Sequence, residues 1–494
     1  MRRAAVEGWP WLVPVALAAF VYGTHGAYVS RALAALAAAV VVLLAARRPD
    51  RSLLVLVALL PFQGLLLAQL YRWGVPGAVV RPLGSWKEAL GLGVVLAGIG
   101  GYRAGRQRLD ALDGLGFAYV AIVGAYALAP HFFAPGAPMD TSARSLAFRA
   151  SAGFVILLLA ARHAPLGDDF GDRLARVVMV VGCVVAAVCV YEYFFSASWN
   201  RWVVEKVQYT RYEVSILHNS PYSLSDVRRY SVIGGHHVLR TGSVFFDPTT
   251  CGFFLVLPFA LAVERRLRSA ARGAIPAIVL IAAGLVLTET RAALLGALIV
   301  TLLALRPAAG RTLDRRLQFT FVLLAGFAVL LPAATAIGLG QRVAATSTQR
   351  DPSSVDHVRS FWTGLDAVKA NPIGHGLGTS AGVGQRFDQG QATIGENSYL
   401  QVGIETGVAA MAVFIGITVS AIGRLRRLSR SRSHLATSAA FSAGVGLAIG
   451  GLFLQTWVDF SVAWTFWALA GAAIGIAERS RTRADPLVPI ESFA

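Results

Sequence analysis

Residues 359–407 read RSFWTGLDAVKANPIGHGLGTSAGVGQRFDQGQATIGENSYLQVGIETG, a polar, glycine-rich stretch that runs straight into an apolar segment at 398–400. Connections this long without structure of their own are uncommon and are usually functional or disordered. Phe361, Trp362, Phe387 and Tyr399 argue against disorder, since order is retained where aromatic surface can be buried. The stretch is therefore read as a working loop held between two hydrophobic runs.

Outward from it the chain is dominated by such runs. A bilayer-spanning helix needs about 20 mostly apolar residues. Segments that qualify lie near 9–28, 31–46, 52–71, 88–102, 114–133, 148–162, 174–195, 244–263, 274–290, 291–305, 317–338, 398–423, 435–455 and 460–477. Of 494 residues, 55% are hydrophobic and 15% charged, against about 25% charged in soluble domains. The expected fold is all-α, a polytopic transmembrane bundle of about 12–14 spans. The whole of 1–494 forms one integral membrane domain, with Arg2 and Arg3 preceding a retained first helix rather than a cleaved signal. Cys183, Cys189 and Cys251 lie inside apolar runs and suggest neither a disulfide framework nor a metal site.

The net charge of +18 does not point to nucleic acid, because the basic residues cluster between apolar runs. With a cytoplasmic N-terminus, roughly 27 of them fall in inner segments and about 7 in short outer loops, as the positive-inside rule requires. Both termini are then cytoplasmic. Two long segments, 196–243 and 339–397, face outward, where long loops escape that rule. They hold Arg201, Lys206, Arg211, Arg228, Arg229, Arg240, Arg342, Arg350, Arg359, Lys369 and Arg386. Cations gathered there call for an anionic partner, with lipid headgroups as the plain alternative.

Polar residues at membrane depth are functional candidates by default. Arg291 occupies a tight outer turn in TETRAALLG, and a snorkelling anchor is its structural alternative. Arg240 precedes Asp247 and Pro248 at the start of a span, and Arg359 lies on a short amphipathic helix over 355–369. Glu396, followed by Asn397 and Ser398, sits at the mouth of the helix that contains Tyr399, where a carboxylate can also act as a simple cap. Glu405, nine residues on, is read as structural. The histidines His218, His236, His237, His357 and His375 have no metal-ligand spacing, so no metal and no cofactor are expected.

TRAALLG at 290–296, RSFWTGLDAVKANPIGHGLG at 359–378 and ENSYLQVGIETG at 396–407 together resemble the O-antigen ligase and Wzy-type polysaccharide polymerase superfamily. That resemblance implies a GT-C-like glycosyltransferase of the bacterial inner membrane, its site facing outward. The donor would be an undecaprenyl-diphosphate-linked glycan and the acceptor a glycan, lipid or protein. The family's Arg-x-x-x-Leu-Gly motif is matched by Arg291, Leu295 and Gly296, and its His-Asn-x-x-Leu motif by Asn397, Leu400 and Gly407. Glu396 stands where the family has His, which shifts the expectation from a standard ligase towards a polymerase or a divergent ligase.

The chemistry fits the residues themselves. Displacement of a diphosphate from an anomeric carbon needs cations at the growing charge and one base for the acceptor hydroxyl. Arg suits the first through its planar fork. Arg240, Arg291 and Arg359 are expected to converge beside Glu396 as the general base, with Asn397, Tyr399, His375, His357 and Asp247 lining the substrate site. A single displacement inverts the anomeric centre. The competing class is a transporter or flippase, which would hold coupling residues near the midplane.

Overall fold

The computed structural model describes residues 27–104, 109–133, 141–218, 223–233, 236–269, 273–306, 313–314, 352–380, 396–431 and 435–484. The protein is an all-α multi-pass membrane protein. Its main helices are α1 (Ala27–Arg47), α2 (Pro49–Arg72), α3 (Trp86–Arg103), α4 (Ala111–Leu128), α5 (Thr141–His163), α6 (Phe170–Phe194) and α7 (Pro248–Arg268). After them come α8 (Ala274–Thr288), α9 (Arg291–Ala304), α10 (Pro352–Ala370), α11 (Ser398–Ser431), α12 (Leu435–Gly450) and α13 (Phe460–Ala484). Among the described residues α2, α4, α5, α6, α11 and α13 are long and apolar enough to cross a membrane, and α8, α9 and α12 are shorter apolar helices. The expected span at 317–338 and most of that at 9–28 lie outside the described residues, as do Arg342, Arg350, Phe387 and Arg386.

Lipid tails are as apolar as leucine, so helices in a bilayer associate through close packing of small residues rather than by escape from water. The central helix, α13, shows this. Its Gly471 and Gly475, one turn apart, lie on the backbone of α5, where a Cβ would come within 2.3 Å of Leu158 O and 2.0 Å of Arg162 O. Above that contact Trp467 stacks on Phe154, and Phe154 and Tyr119 both meet Phe414 of α11, joining α4, α5, α11 and α13 in one aromatic layer. Gly296 of the Arg-x-x-x-Leu-Gly motif has a similar role, because α9 and α12 touch through Gly296 and Gly446.

Connectivity divides the bundle into two polar ends. At one, Arg162 is 2% exposed and bridges three helices. Its Nη1 lies 3.0 Å from Asp110 Oδ1 and 2.9 Å from Asp113 Oδ2, and its Nη2 lies 3.0 Å from Glu478 Oε2. Arg424 closes the network on Glu478 at 2.8 Å and on Asp110. Burial pushes the Asp110 carboxyl up, but Arg162 and Arg424 hold it well below the usual carboxylate range. Its contribution to stability is thus complete above about pH 4 and is lost only on further acidification. Removing one partner from a buried ion cluster leaves uncompensated charge. Arg162→Met is therefore expected to destabilise the protein by about 3–5 kcal/mol, read as a lowered thermal midpoint in detergent.

The segment expected as an outer loop at 196–243 has regular structure among its described residues. It contains Ser196–Arg201, the π-helical turns Trp202–Val207 and Glu213–Leu217, and a hairpin of β1 (Arg229–Ile233) and β2 (His236–Arg240). A separate small core of Trp199, Val203, Val207, Tyr212, Ile216 and Phe246 closes it against Leu67 and Val80.

Candidate functional site

The second polar end is built around the turn between α8 and α9. Glu289 adopts a left-handed conformation (φ 51°) and ends α8, so that Arg291 begins the next helix with its side chain exposed. Thr290 Oγ1 donates to Pro248 O at 2.9 Å, tying the turn to the start of α7. Asp247 caps that helix, its Oδ2 accepting from Thr250 N at 2.7 Å. The hairpin docks on the same turn. Thr241 N donates to Leu287 O at 3.0 Å, Arg240 Nε to Thr288 O at 3.2 Å, and Ser231 Oγ to Glu289 Oε2 at 2.6 Å. The segments that carry Arg240 and Asp247 therefore converge on the turn from which Arg291 starts α9.

The hairpin register adds a cation. Arg229 is directly opposite Arg240, and opposed residues of an antiparallel pair project from the same face, where like charges destabilise unless anions are near. Strand alternation around Gly-Gly in RYSVIGGHHVLR is a hairpin signal that could have exposed this pairing in the sequence.

The mouth of α11 adjoins the same end. Asn397 is its N-cap, Oδ1 accepting from Tyr399 N at 2.8 Å and Leu400 N at 3.0 Å while Nδ2 donates to Leu452 O at 2.8 Å. Ser398 N donates to Gly451 O at 2.9 Å and Tyr399 OH to Ala448 O at 3.0 Å. Gly450 lies against Phe253 of α7, which links this mouth to the Asp247 cap. Asp459, which caps α13, accepts from Thr250 at 3.4 Å, and burial raises its carboxyl pKa. Asn397 and Tyr399 thus hold the helix start in place through all these bonds.

Glu396 has a different setting. Its backbone N–H donates to Ser360 Oγ at 3.0 Å, and its Oε2 accepts from His357 Nδ1. His357 and Ser360 are three residues apart, one face of α10, and both groups of the His–Glu pair remain about one-third exposed. Arg359, two residues from His357, points the other way. Its side chain is 72% exposed and pairs with Asp356 at 3.3 Å, so of the three guanidinium groups expected beside Glu396, this one lies on the outer face of α10.

Below the mouth α11 is broken at Gly407 (φ 82°, ψ 171°), a backbone region open essentially to glycine alone. The polar loop after α10 repairs the break. Val408 N donates to Pro372 O at 2.9 Å, His375 N to Ile404 O at 2.7 Å and Gly376 N to Glu405 O at 3.0 Å. Tyr126 OH donates to Ile373 O. Buried Glu405 accepts from Ser380 N and Oγ at 3.3 and 3.2 Å, and His375 Nε2 donates to Ala367 O at 3.2 Å. Pro372 O and the backbone N–H groups of His375 and Gly376 therefore satisfy freed backbone at membrane depth, where unsatisfied groups cost several kcal/mol each, and the Glu405 carboxylate fastens the loop through Ser380. A Cβ at Gly407 would stand 2.4 Å from Ile373 O. Gly407→Ala is expected to cost at least about 1–3 kcal/mol, measurable as loss of thermal stability in detergent.

Residues 276–415 match the family model described as O-antigen ligase. This stretch is similar to the O-antigen ligase family. The matched stretch contains most of α8, all of α9 and α10 and the broken part of α11, hence Arg291, His357, Arg359, Glu396 and Gly407. Arg240 and its hairpin lie outside the matched region and dock on it at the turn that follows Leu287. No curated protein matches the chain. Among the described residues, no group of three or more His, Cys, Asp or Glu side chains is arranged to hold a metal ion.

Proposed function

We propose that this protein is a membrane glycosyltransferase that moves a glycan from undecaprenyl diphosphate to an acceptor hydroxyl, as a polysaccharide polymerase or an O-antigen-type ligase. The observation that carries this reading is the docking of Arg240 on the turn that presents Arg291, at the bundle end that also bears the Glu396–His357 pair. The acceptor hydroxyl attacks the anomeric carbon, and the bond from that carbon to the diphosphate oxygen breaks. The electron pair leaves with the lipid diphosphate, and the Glu396–His357 pair takes the hydroxyl proton, with Glu396 as the general base and His357 as its hydrogen-bonded partner. Arg240 and Arg291 neutralise the leaving diphosphate in the place a divalent cation would otherwise take. Fixed cations at a developing charge are usually the largest catalytic contribution. One displacement inverts the anomeric configuration.

The site faces outward in a bacterial inner membrane, with the arginine-rich Asp110 end and both termini cytoplasmic, consistent with the excess of basic residues on that side. The polyprenyl chain stays in lipid while its diphosphate reaches the turn.

A flippase would share the donor but form no bond. Protein reconstituted in liposomes with chelator and radiolabelled lipid-linked glycan is expected to release lipid diphosphate and yield a new, inverted glycosidic bond. Translocation of intact donor without bond formation would refute the transferase.

A further inference from the structure

Beside the arginine turn is a cavity of about 100 Å³ whose walls include Tyr209, Glu213, Asp226, Arg229, Phe246 and Asp247. We infer that it is a sugar subsite, holding one ring of the lipid-linked donor next to the diphosphate. The inference rests on the transferase reading above and adds the residues that would read the glycan.

Size is the first argument. At about 10–15 Å³ per water, the cavity takes several waters, the scale of one sugar ring rather than a chain of them. Charge is the second. Glu213, Asp226 and Asp247 stand with Arg229 in the walls, and Arg228 pairs with Asp226 at 2.7 Å, which leaves a formal excess of one negative charge and disfavours phosphate. Ionised carboxylates only accept hydrogen bonds, so they suit a ligand rich in hydroxyl or amide donors.

Shape is the third. The rings of Tyr209 and Phe246 are 4.0 Å apart at 42°, and offer an apolar wall to the C–H face of a ring. Phe246 is held in a left-handed conformation (φ 56°), and Tyr209 follows the left-handed Gln208, so the backbone at both positions is fixed by the small core beneath. Polarity along the site is the fourth. Arg229 is on the cavity wall and opposite Arg240 in the hairpin, while Asp247 adjoins Pro248, which accepts from Thr290 beside Arg291. Acid–aromatic cavity and basic turn therefore share two connections, an order that matches a sugar joined to a diphosphate.

The test compares farnesyl diphosphate with a panel of farnesyl-diphosphate-linked hexoses and N-acetylhexosamines, binding to the full-length protein in nanodiscs. At least one sugar-linked probe is expected to bind tenfold or more tighter than farnesyl diphosphate. Glu213→Gln combined with Asp226→Asn should bring that ratio close to one, farnesyl diphosphate itself serving as the control for folding. A panel with no preferred member, or a preference that survives both substitutions, would overturn the subsite while leaving the transferase reading intact. If farnesyl diphosphate fails to bind, or the unaltered protein forms no glycosidic bond from labelled lipid-linked glycan, the transferase reading falls and the subsite with it.

Discussion

Arg291→Ala is expected to lower the turnover number for glycosyl transfer by about 10²–10³-fold, the range found when one preorganised donor is removed from a developing negative charge. Charge on the leaving diphosphate grows as its bond to carbon breaks, so the loss should fall mainly on turnover, with a smaller effect on donor affinity. Arg291→Lys should also be severely impaired, since an ammonium cannot reproduce the bidentate fork. Arg240→Ala should act in the same direction. Its Nε donates to Thr288 O and its Nη2 approaches Thr290 Oγ1 at 3.4 Å, so this side chain also fastens the hairpin to the turn. Because the two arginines work on one group, the double variant should be much less impaired than the product of the single losses. Arg359→Ala, on the exposed face of α10, is expected to cost less than tenfold. Steady-state rates with labelled donor, alongside thermal midpoints to control for folding, decide each case.

Glu396→Gln is expected to reduce turnover by about 10²–10⁴-fold, the usual contribution of a positioned base, at nearly constant donor affinity. The amide is isosteric and keeps the contacts of the backbone with Ser360, so stability should change little. His357→Ala should also be impaired, because Glu396 then loses the imidazole that fixes its orientation. Kinetics of the two single variants and the double variant separate a working pair from a lone carboxylate. A pair gives a double variant no worse than Glu396→Gln, whereas a His357→Ala protein with full activity leaves Glu396 alone as the base. Near-normal rates in Glu396→Gln would move the base to another residue.

Much of the bundle was legible because hydropathy over some 20 residues records the bilayer directly. The helices over 27–47, 86–103, 170–194 and 460–484 coincide with apolar runs read from the sequence. The break at Gly407 was not, since IETGVAA lies inside an apolar run and glycine is common in membrane helices. It becomes intelligible only with the partner loop at 372–380, which supplies the missing bonds. The Arg162 cluster was hidden for a related reason. Near a helix end a snorkelling arginine and a buried one look alike in sequence, and only Asp110, Asp113 and Glu478 from other helices distinguish them.

At the candidate site the local signals were good and the long-range ones absent. Helical spacing already separates Arg359 from His357 by about 200°, yet the sequence does not say which face of α10 docks on α11. The motif residue Glu396 was visible, but not the imidazole thirty-nine positions earlier that meets it. Asn397, Tyr399 and His375 drew attention as polar residues beside the loop. Their bonds to Leu452 O, Ala448 O and Ala367 O make them supports of that loop and of the helix mouth.

The most direct test of the central claim is to locate the diphosphate on the chain. A photoactivatable polyprenyl diphosphate, cross-linked to the protein in nanodiscs and mapped by mass spectrometry, is expected to label peptides carrying Thr288–Arg291 and the 229–240 hairpin, with labelling competed by unmodified lipid diphosphate. Competable labelling confined to the opposite end, around Asp110, Arg162 and Arg424, would contradict it.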